Sequence, residues 1–329
     1  MKGFSPETVW HMNDRDLLSV LNSEGLLPET RKINFYVPSF MYYRTAYYCS
    51  STMDFPTISV TGKGCSLKCR HCGGLVLDTM YHATTPEDLL HLCESIKAKG
   101  GLGCLISGGC LPDGSVPLGE FAETLGRVKK LGLTVFVHSG IVDLATAKAL
   151  KSAGIDAVLI DIIGSDETIQ EIYNLDVSVE DYARSLKILR QTGIVTVPHV
   201  IVGLHGGKLR GEFNALRIIK EHDPSAVVII AFTPIRGTEM EYIDPPKPLD
   251  IARVVATARL MFPRVPLVLG CMRPKSNHRE ETDILAVRAG VNAIAFPTEG
   301  AVKFAGDNGY CVTFSSLCCS QIYADIIHA

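Results

Sequence analysis

Residues 133–162 read LTVFVHSGIVDLATAKALKSAGIDAVLIDI, and this stretch sets the fold. Leu133–His138 is a short apolar run, Leu144–Ala153 carries the apolar spacing of a helix, and Ala157–Ile162 is a second run. Gly154 stands where a left-handed cap ends such a helix. Runs without polar alternation read as strands buried on both faces, hence parallel, with the helix as the crossover.

The unit repeats in both directions. Thr57–Thr61, Gly103–Ser107, Thr196–Gly203, Val227–Thr233, Leu267–Cys271 and Ala293–Pro297 are further apolar runs. Helical patterns lie between them at Pro86–Ala98, Leu118–Lys130, Val179–Gln191, Glu212–Glu221, Leu249–Phe262, Glu280–Ala289 and Gly300–Gly306. The strand–helix alternation predicts a (β/α)8 TIM-type barrel over 56–308, with an N-terminal extension 1–55 and a C-terminal tail 309–329 capping its mouth. An open doubly wound sheet is the alternative. The extension holds an aromatic cluster (Phe35, Tyr36, Phe40, Tyr42, Tyr43, Tyr47, Tyr48) that reads either as a packing arm or as the lining of a substrate slot.

The 329 residues are 47% hydrophobic and 20% charged, enough apolar surface for a large core. A net charge of −3 predicts no nucleic-acid partner. No apolar run reaches the roughly 18 residues that cross a bilayer, so no membrane role is expected. The opening MKGFSPETVWHMNDRDLL has acidic residues where a secretory signal is apolar, and cytoplasmic location follows as the default. Eleven cysteines in such a chain point to buried thiols, a metal site or redox chemistry rather than a disulfide framework.

Spacing separates these readings. Residues 59–74 read SVTGKGCSLKCRHCGG, placing Cys65, Cys69 and Cys72 in the loop after the first predicted strand. In a barrel that loop lies on the active-site face. Three thiolates so close can wrap one iron–sulfur cubane and leave its fourth iron open, where an amino acid's amine and carboxylate can chelate. An electron passed into a sulfonium bound there cleaves a carbon–sulfur bond and makes a carbon radical. With eleven cysteines in 329 residues, the spacing arises by chance in roughly one chain in a hundred. A zinc knuckle with His71 as fourth ligand is the competitor, but His71 directly precedes Cys72, an awkward arrangement for one tetrahedral ion.

The Cys-x3-Cys-x2-Cys segment resembles the signature of radical S-adenosylmethionine enzymes, with His71 where an aromatic ring is common. That resemblance implies a 4Fe-4S cluster bound to S-adenosylmethionine. Gly108–Gly109 resembles the Gly-Gly-Glu segment that meets the amino group of the cofactor's methionine, with Cys110 in place of the Glu. Val202, Gly203 and Leu204 look like the Ile-Val-Gly-Leu-Gly segment of biotin-synthase-like members, whose backbone borders the adenine, and Thr233–Glu239 is similar to their Pro-x-x-Gly-Thr-Pro segment. Asp161 and Ser165 match the region that holds the ribose hydroxyls, although an Asp at a strand end also caps helices. His138 and Ser139 end the third run and face the same mouth.

Of the other cysteines, Cys93, Cys104 and Cys311 read as core thiols. Cys49, Cys110, Cys271, Cys318 and Cys319 sit at strand ends or in flanking segments, and a second, auxiliary 4Fe-4S cluster drawn from Cys110, Cys271, Cys318 and Cys319 is the hypothesis. The segments Gly270–Lys275 and Phe314–Cys319 look like the first component of the two-protein lipoyl synthases. This implies sulfur insertion into an octanoyl chain on a lysine of a lipoyl-carrier protein or peptide. It also implies a second lipoyl synthase component and a low-potential electron donor such as ferredoxin or flavodoxin. Arg273 would hold a carboxylate or assist a cluster, or else form a salt bridge at the barrel rim. The alternatives are a single-cluster, biotin-synthase-like enzyme acting on a small metabolite, and a metal-binding scaffold with no turnover.

Overall fold

The computed structural model describes residues 3–23, 26, 31–51 and 53–326. Positions 1–2, 24–25, 27–30 and 52 of the predicted extension, and 327–329 of the tail, lie outside the described residues. The eight predicted runs form strands β2 (Thr57–Ser59), β4 (Gly103–Ser107), β5 (Thr134–Ser139), β6 (Ala157–Asp161), β7 (Thr196–Val202), β8 (Val227–Ala231), β9 (Leu267–Leu269) and β10 (Ala293–Ala295). Three more join them: β1 (Lys32–Tyr36), β3 (Tyr81–His82) and β11 (Cys311–Ser315). The sheet order is β11-β1-β10-β9-β8-β7-β6-β5-β4-β2-β3, and every pairing is parallel.

The predicted helices are present with small shifts at their ends, as at Pro86–Ala98, Leu144–Ala153, Val179–Thr192 and Pro248–Met261. No described helix is long and apolar enough to cross a membrane. The fold is the α/β, TIM-type architecture expected, with one structural qualification. Among the described residues β11 and β3 are the unpaired ends of the order, so the sheet curls without closing. Strand β1, from the extension, pairs with β10 on one side and with β11, from the tail, on the other.

Alternation along the strands sorts the core into two layers. Outward side chains such as Val135, Val137, Val158 and Ile160 pack against the helices. Inward ones form a separate apolar floor of Phe55, Phe136, Leu159, Val197, Val228 and Val268. The tail turns into this interior: Cys318, Cys319 and Ile322 are buried in the floor cluster, and the Tyr323 hydroxyl donates to Asp156 O at 3.2 Å. Tail side chains thus occupy the interior that the open seam exposes. Most of the aromatic segment packs along the same seam. Tyr48 stacks on Phe314 at 5.1 Å and Tyr43 donates to Pro297 O at 2.8 Å, while Tyr42 is 72% exposed.

Candidate active site: two thiol groups facing one cavity

The loop from β2 carries Cys65, Cys69 and Cys72, with Cys69 buried and the other two partly so. Tight local hydrogen bonds shape it, from Cys72 N to Cys69 O at 3.1 Å and Gly73 N to Cys69 O at 2.7 Å. The end of β4 holds it in place. Gly109 N donates to Thr61 Oγ1 at 2.7 Å, and Ser66 N donates to Cys110 O at 2.8 Å. A Cβ at Gly109 would stand 2.0 Å from Gly64 O and 2.6 Å from Cys65 Cβ, so only glycine allows this approach. Gly109→Ala therefore displaces the Cys65 backbone. We expect a stability loss of about 1–3 kcal/mol in urea melts and a fall in bound iron.

All three thiols line a cavity of about 230 Å³, together with Gly108, Gly109 and Tyr173. The Cys69 thiol donates to Tyr173 O at 3.7 Å; the neighbouring Cys69 and His71 draw Cys72 down to about 4, while Cys72 and burial push Cys69 up. Among the described residues the ligand atoms of Cys69, His71 and Cys72 lie within 4.8 Å of one another, with Cys65 on the same cavity but outside that set. Three cysteines on one cavity with open space beside them fit an iron–sulfur cluster with a free coordination position.

A second cavity of about 330 Å³ shares His71, Cys72, Ser107, His138 and Asp161 with the first. Its far side carries Cys271, just beyond β9, and Cys318–Cys319, just beyond β11. Between the thiol groups the walls are mostly apolar, including Leu105, Leu159, Ile201, Ile230 and Phe232. The neighbouring Cys319 lowers Cys318 to about 7, and Cys319 is correspondingly raised. Burial pushes Cys271 up to about 11. All three cysteines line this cavity.

Cys110 does not join them. It lines only the smaller cavity, and its thiol is raised to about 12 by burial and then by the neighbouring Cys65. Cys93 and Cys104 are fully buried as expected, but Cys311 is exposed, since it opens the edge strand β11. Cys49 is exposed and lines neither cavity.

Arg273 is not a cavity residue. It is 1% exposed, with Nε 2.7 Å from Asp283 Oδ1 and its terminal nitrogens donating to Gly270 O, Ala295 O and Phe296 O. The turn after Cys271 carries the guanidinium inward, where it ties β9 to β10. Arg273→Met strands a buried carboxylate, and the expected cost is about 3–5 kcal/mol. Adding Asp283→Asn should return part of it, a coupling read in a double-mutant cycle.

The cofactor-side expectations divide. Gly108, Gly109, Ser139 and Asp161 line the smaller cavity, and Leu204 lines the larger. Ser165 instead caps the helix Asp166–Tyr173, its hydroxyl accepting from Thr168 N. Val202 is fully buried, and Gly203 N donates to Glu212 Oε1 at 2.8 Å, which occupies the amide expected to border an adenine. Burial raises the Glu212 carboxyl to about 7.

Sequence reasoning left His199 without a role, although it lines the cavity beside His138 and Asp161. The signal is the period of two. His138, Asp161 and His199 each stand two residues beyond a floor residue, Phe136, Leu159 and Val197. Burial opposes charge on His138, but the Asp161 carboxylate overrides it and raises His138, while Asp161 is lowered in turn. Burial, followed by the His138 charge, lowers His199 to about 4.

With sheet and thiols in view, the comparisons with known proteins define the class. Residues 59–210 match the Radical SAM superfamily, and residues 228–312 match the Biotin and Thiamin Synthesis associated domain. The chain is thus similar to the Radical SAM superfamily over the segment that carries Cys65, Cys69 and Cys72, and its relatives are biotin-synthase-like. Among the relatives, the biotin synthase of Prochlorococcus marinus is 28% identical over 247 residues, 73% of each chain. Two solved structures share the fold. Methylornithine synthase has a TM-score of 0.55 at 18% identity, covering 88% of this chain and 85% of its own. A maturase of the FeFe-hydrogenase has a TM-score of 0.65 at 16% identity, covering 98% and 74%. Further relatives, from Myxococcus xanthus and Synechococcus elongatus, are likewise biotin synthases, whereas the tail segment resembles lipoyl synthases.

Proposed function

We propose that this chain is a biotin-synthase-like radical enzyme that inserts sulfur into an unactivated carbon of an aliphatic substrate. The observation that carries the reading is one largely apolar cavity lined by Cys72 of the loop group and by Cys271, Cys318 and Cys319, with Cys65 and Cys69 on the adjoining cavity that shares Cys72. Cys65, Cys69 and Cys72 hold the cluster that binds S-adenosylmethionine. Cys271, Cys318 and Cys319 hold an auxiliary one. When bound, these groups supply a hydrogen-abstracting adenosyl radical on one side and sulfide on the other.

The chain's own residues do the rest. Leu105, Leu159, Ile201 and Ile230 receive the hydrocarbon and exclude water that would compete at the reacting carbon. Gly109 lets the first thiol loop sit against β4 and so fixes one end of the site. Strand β11 carries the tail cysteines to the other end.

The relatives favour a free small metabolite as substrate. A second reading, an octanoyl chain on a lysine of a lipoyl carrier, is favoured by the cavity mouth. There Val76 and Met272 are 38% and 41% exposed, an apolar rim that a tethered chain would cross. Anaerobically loaded protein should hold about eight irons per chain; about four indicates a single cluster, and none indicates a scaffold. Turnover is then compared on the sulfur-free precursor of biotin and on an octanoyllysyl peptide. The peptide assay is run with and without a second lipoyl synthase component, using ferredoxin or flavodoxin as donor. Thiolated peptide selects the carrier reading. Absence of sulfur-bearing product from either substrate overturns sulfur insertion on both.

A further inference from the structure

One layer above the apolar floor, between the two thiol groups, three polar side chains interrupt the cavity wall. Asp161 on β6 and His199 on β7 are register partners. His138 on β5 is paired with Leu159, two residues before Asp161, so strand alternation turns all three side chains to the same face. His138 Nε2 is 3.5 Å from Asp161 Oδ1. One ring nitrogen from each histidine and one oxygen from Asp161 all lie within 4.8 Å of one another.

Two further observations concern what these atoms lack. Asp161 Oδ1 is buried and, although it faces His138 Nε2 at 3.5 Å, it accepts no hydrogen bond of ordinary geometry. His199 Nδ1 lies 3.0 Å from Val197 O and must donate to that carbonyl, which leaves Nε2 as a lone pair. A backbone carbonyl fixing one ring nitrogen is the usual support for a histidine that ligates through the other. Two ligand atoms bound at about 2.0–2.2 Å to one ion stand roughly 3–3.5 Å apart, which matches the His138–Asp161 separation. The side chains of His138 and Asp161 are each 27% exposed, so an ion has a path to them.

We propose that His138, Asp161 and His199 bind one divalent first-row transition ion, with its remaining positions open to the cavity. Two imidazoles and a carboxylate suit Fe(II), Co(II) or Zn(II) rather than Ca(II) or Mg(II), which prefer all-oxygen sites. The open positions accept an oxygen or nitrogen donor from the polar end of a substrate whose apolar part lies along the wall. This ion is separate from either cluster, and the assignment does not depend on which substrate is used.

The test is anaerobic titration of the cluster-loaded full chain with Co(II). The expected result is saturation at one equivalent, with visible d–d absorption and no near-ultraviolet thiolate-to-cobalt band. Asp161→Asn and His199→Gln should each weaken binding by at least about 100-fold, with cluster iron unchanged. The thermal unfolding midpoint of each variant confirms that it folds, and either variant alone decides if the other does not. Three results overturn the proposal: no saturable cobalt binding, a thiolate band, or unchanged affinity in a folded variant. A fourth is an Asp161→Asn chain that binds cobalt normally but loses S-adenosylmethionine affinity, which would return Asp161 to the ribose.

Discussion

Replacing Cys72 by alanine should remove roughly four irons per chain and cut 5′-deoxyadenosine formation at least about a thousandfold. Among the described residues Cys72 is the one cysteine that lines both cavities, and its thiol is drawn down by Cys69 and by His71. Alanine leaves only Cys65 and Cys69 on the loop. Two sulfurs cannot hold a cubane that needs three. The control is Cys110→Ala, in the same cavity but off the loop, which should keep its full iron. An unchanged deoxyadenosine yield from Cys72→Ala would remove the loop from the chemistry.

Cys318→Ala has a different signature. Iron should fall from about eight to about four per chain, deoxyadenosine formation should persist within about threefold, and the sulfur-bearing product should vanish. The separation follows from geometry. Cys318 lies on the cavity wall opposite the loop, on a tail fixed through β11 and by the burial of Ile322. Its removal takes away the member of the far group with the lowered thiol pKa and leaves two cysteines, Cys319 and Cys271, on that wall. Iron that stays near eight excludes the tail as a ligand source. Iron and labile sulfide counts, run beside the deoxyadenosine assay, give both readouts from one preparation.

The eight central strands were legible because burial on both faces writes them as unbroken apolar runs. Strands β1 and β11 were not, since Lys32, Asn34, Cys311 and Thr313 break the pattern and the two strands complete each other across the seam. The loop cysteines were legible because one short segment carries all three. The convergence of Cys271 with Cys318 and Cys319 could be anticipated from strand ends, but the side of the curl to which Cys110 belongs could not. That depends on how many strands intervene. Arg273 read as a rim cation because nothing local announces Asp283, ten positions on, as its buried partner. The His138–Asp161–His199 group was hidden for a related reason: its members sit on three strands, and only the register brings them level.

The pairing of β1 with β11 also makes the far thiol group a long-range structure. Asn34 and Thr313 hydrogen-bond across 279 positions of sequence, and the strand that precedes the tail cysteines is held in the sheet by that pairing. The loop at residues 65–72 is held by its own turns and by the end of β4, whereas Cys318 and Cys319 follow a strand placed by pairing between distant segments. Loss of the β1–β11 pairing would therefore disturb the far thiols while leaving the support of the loop in place.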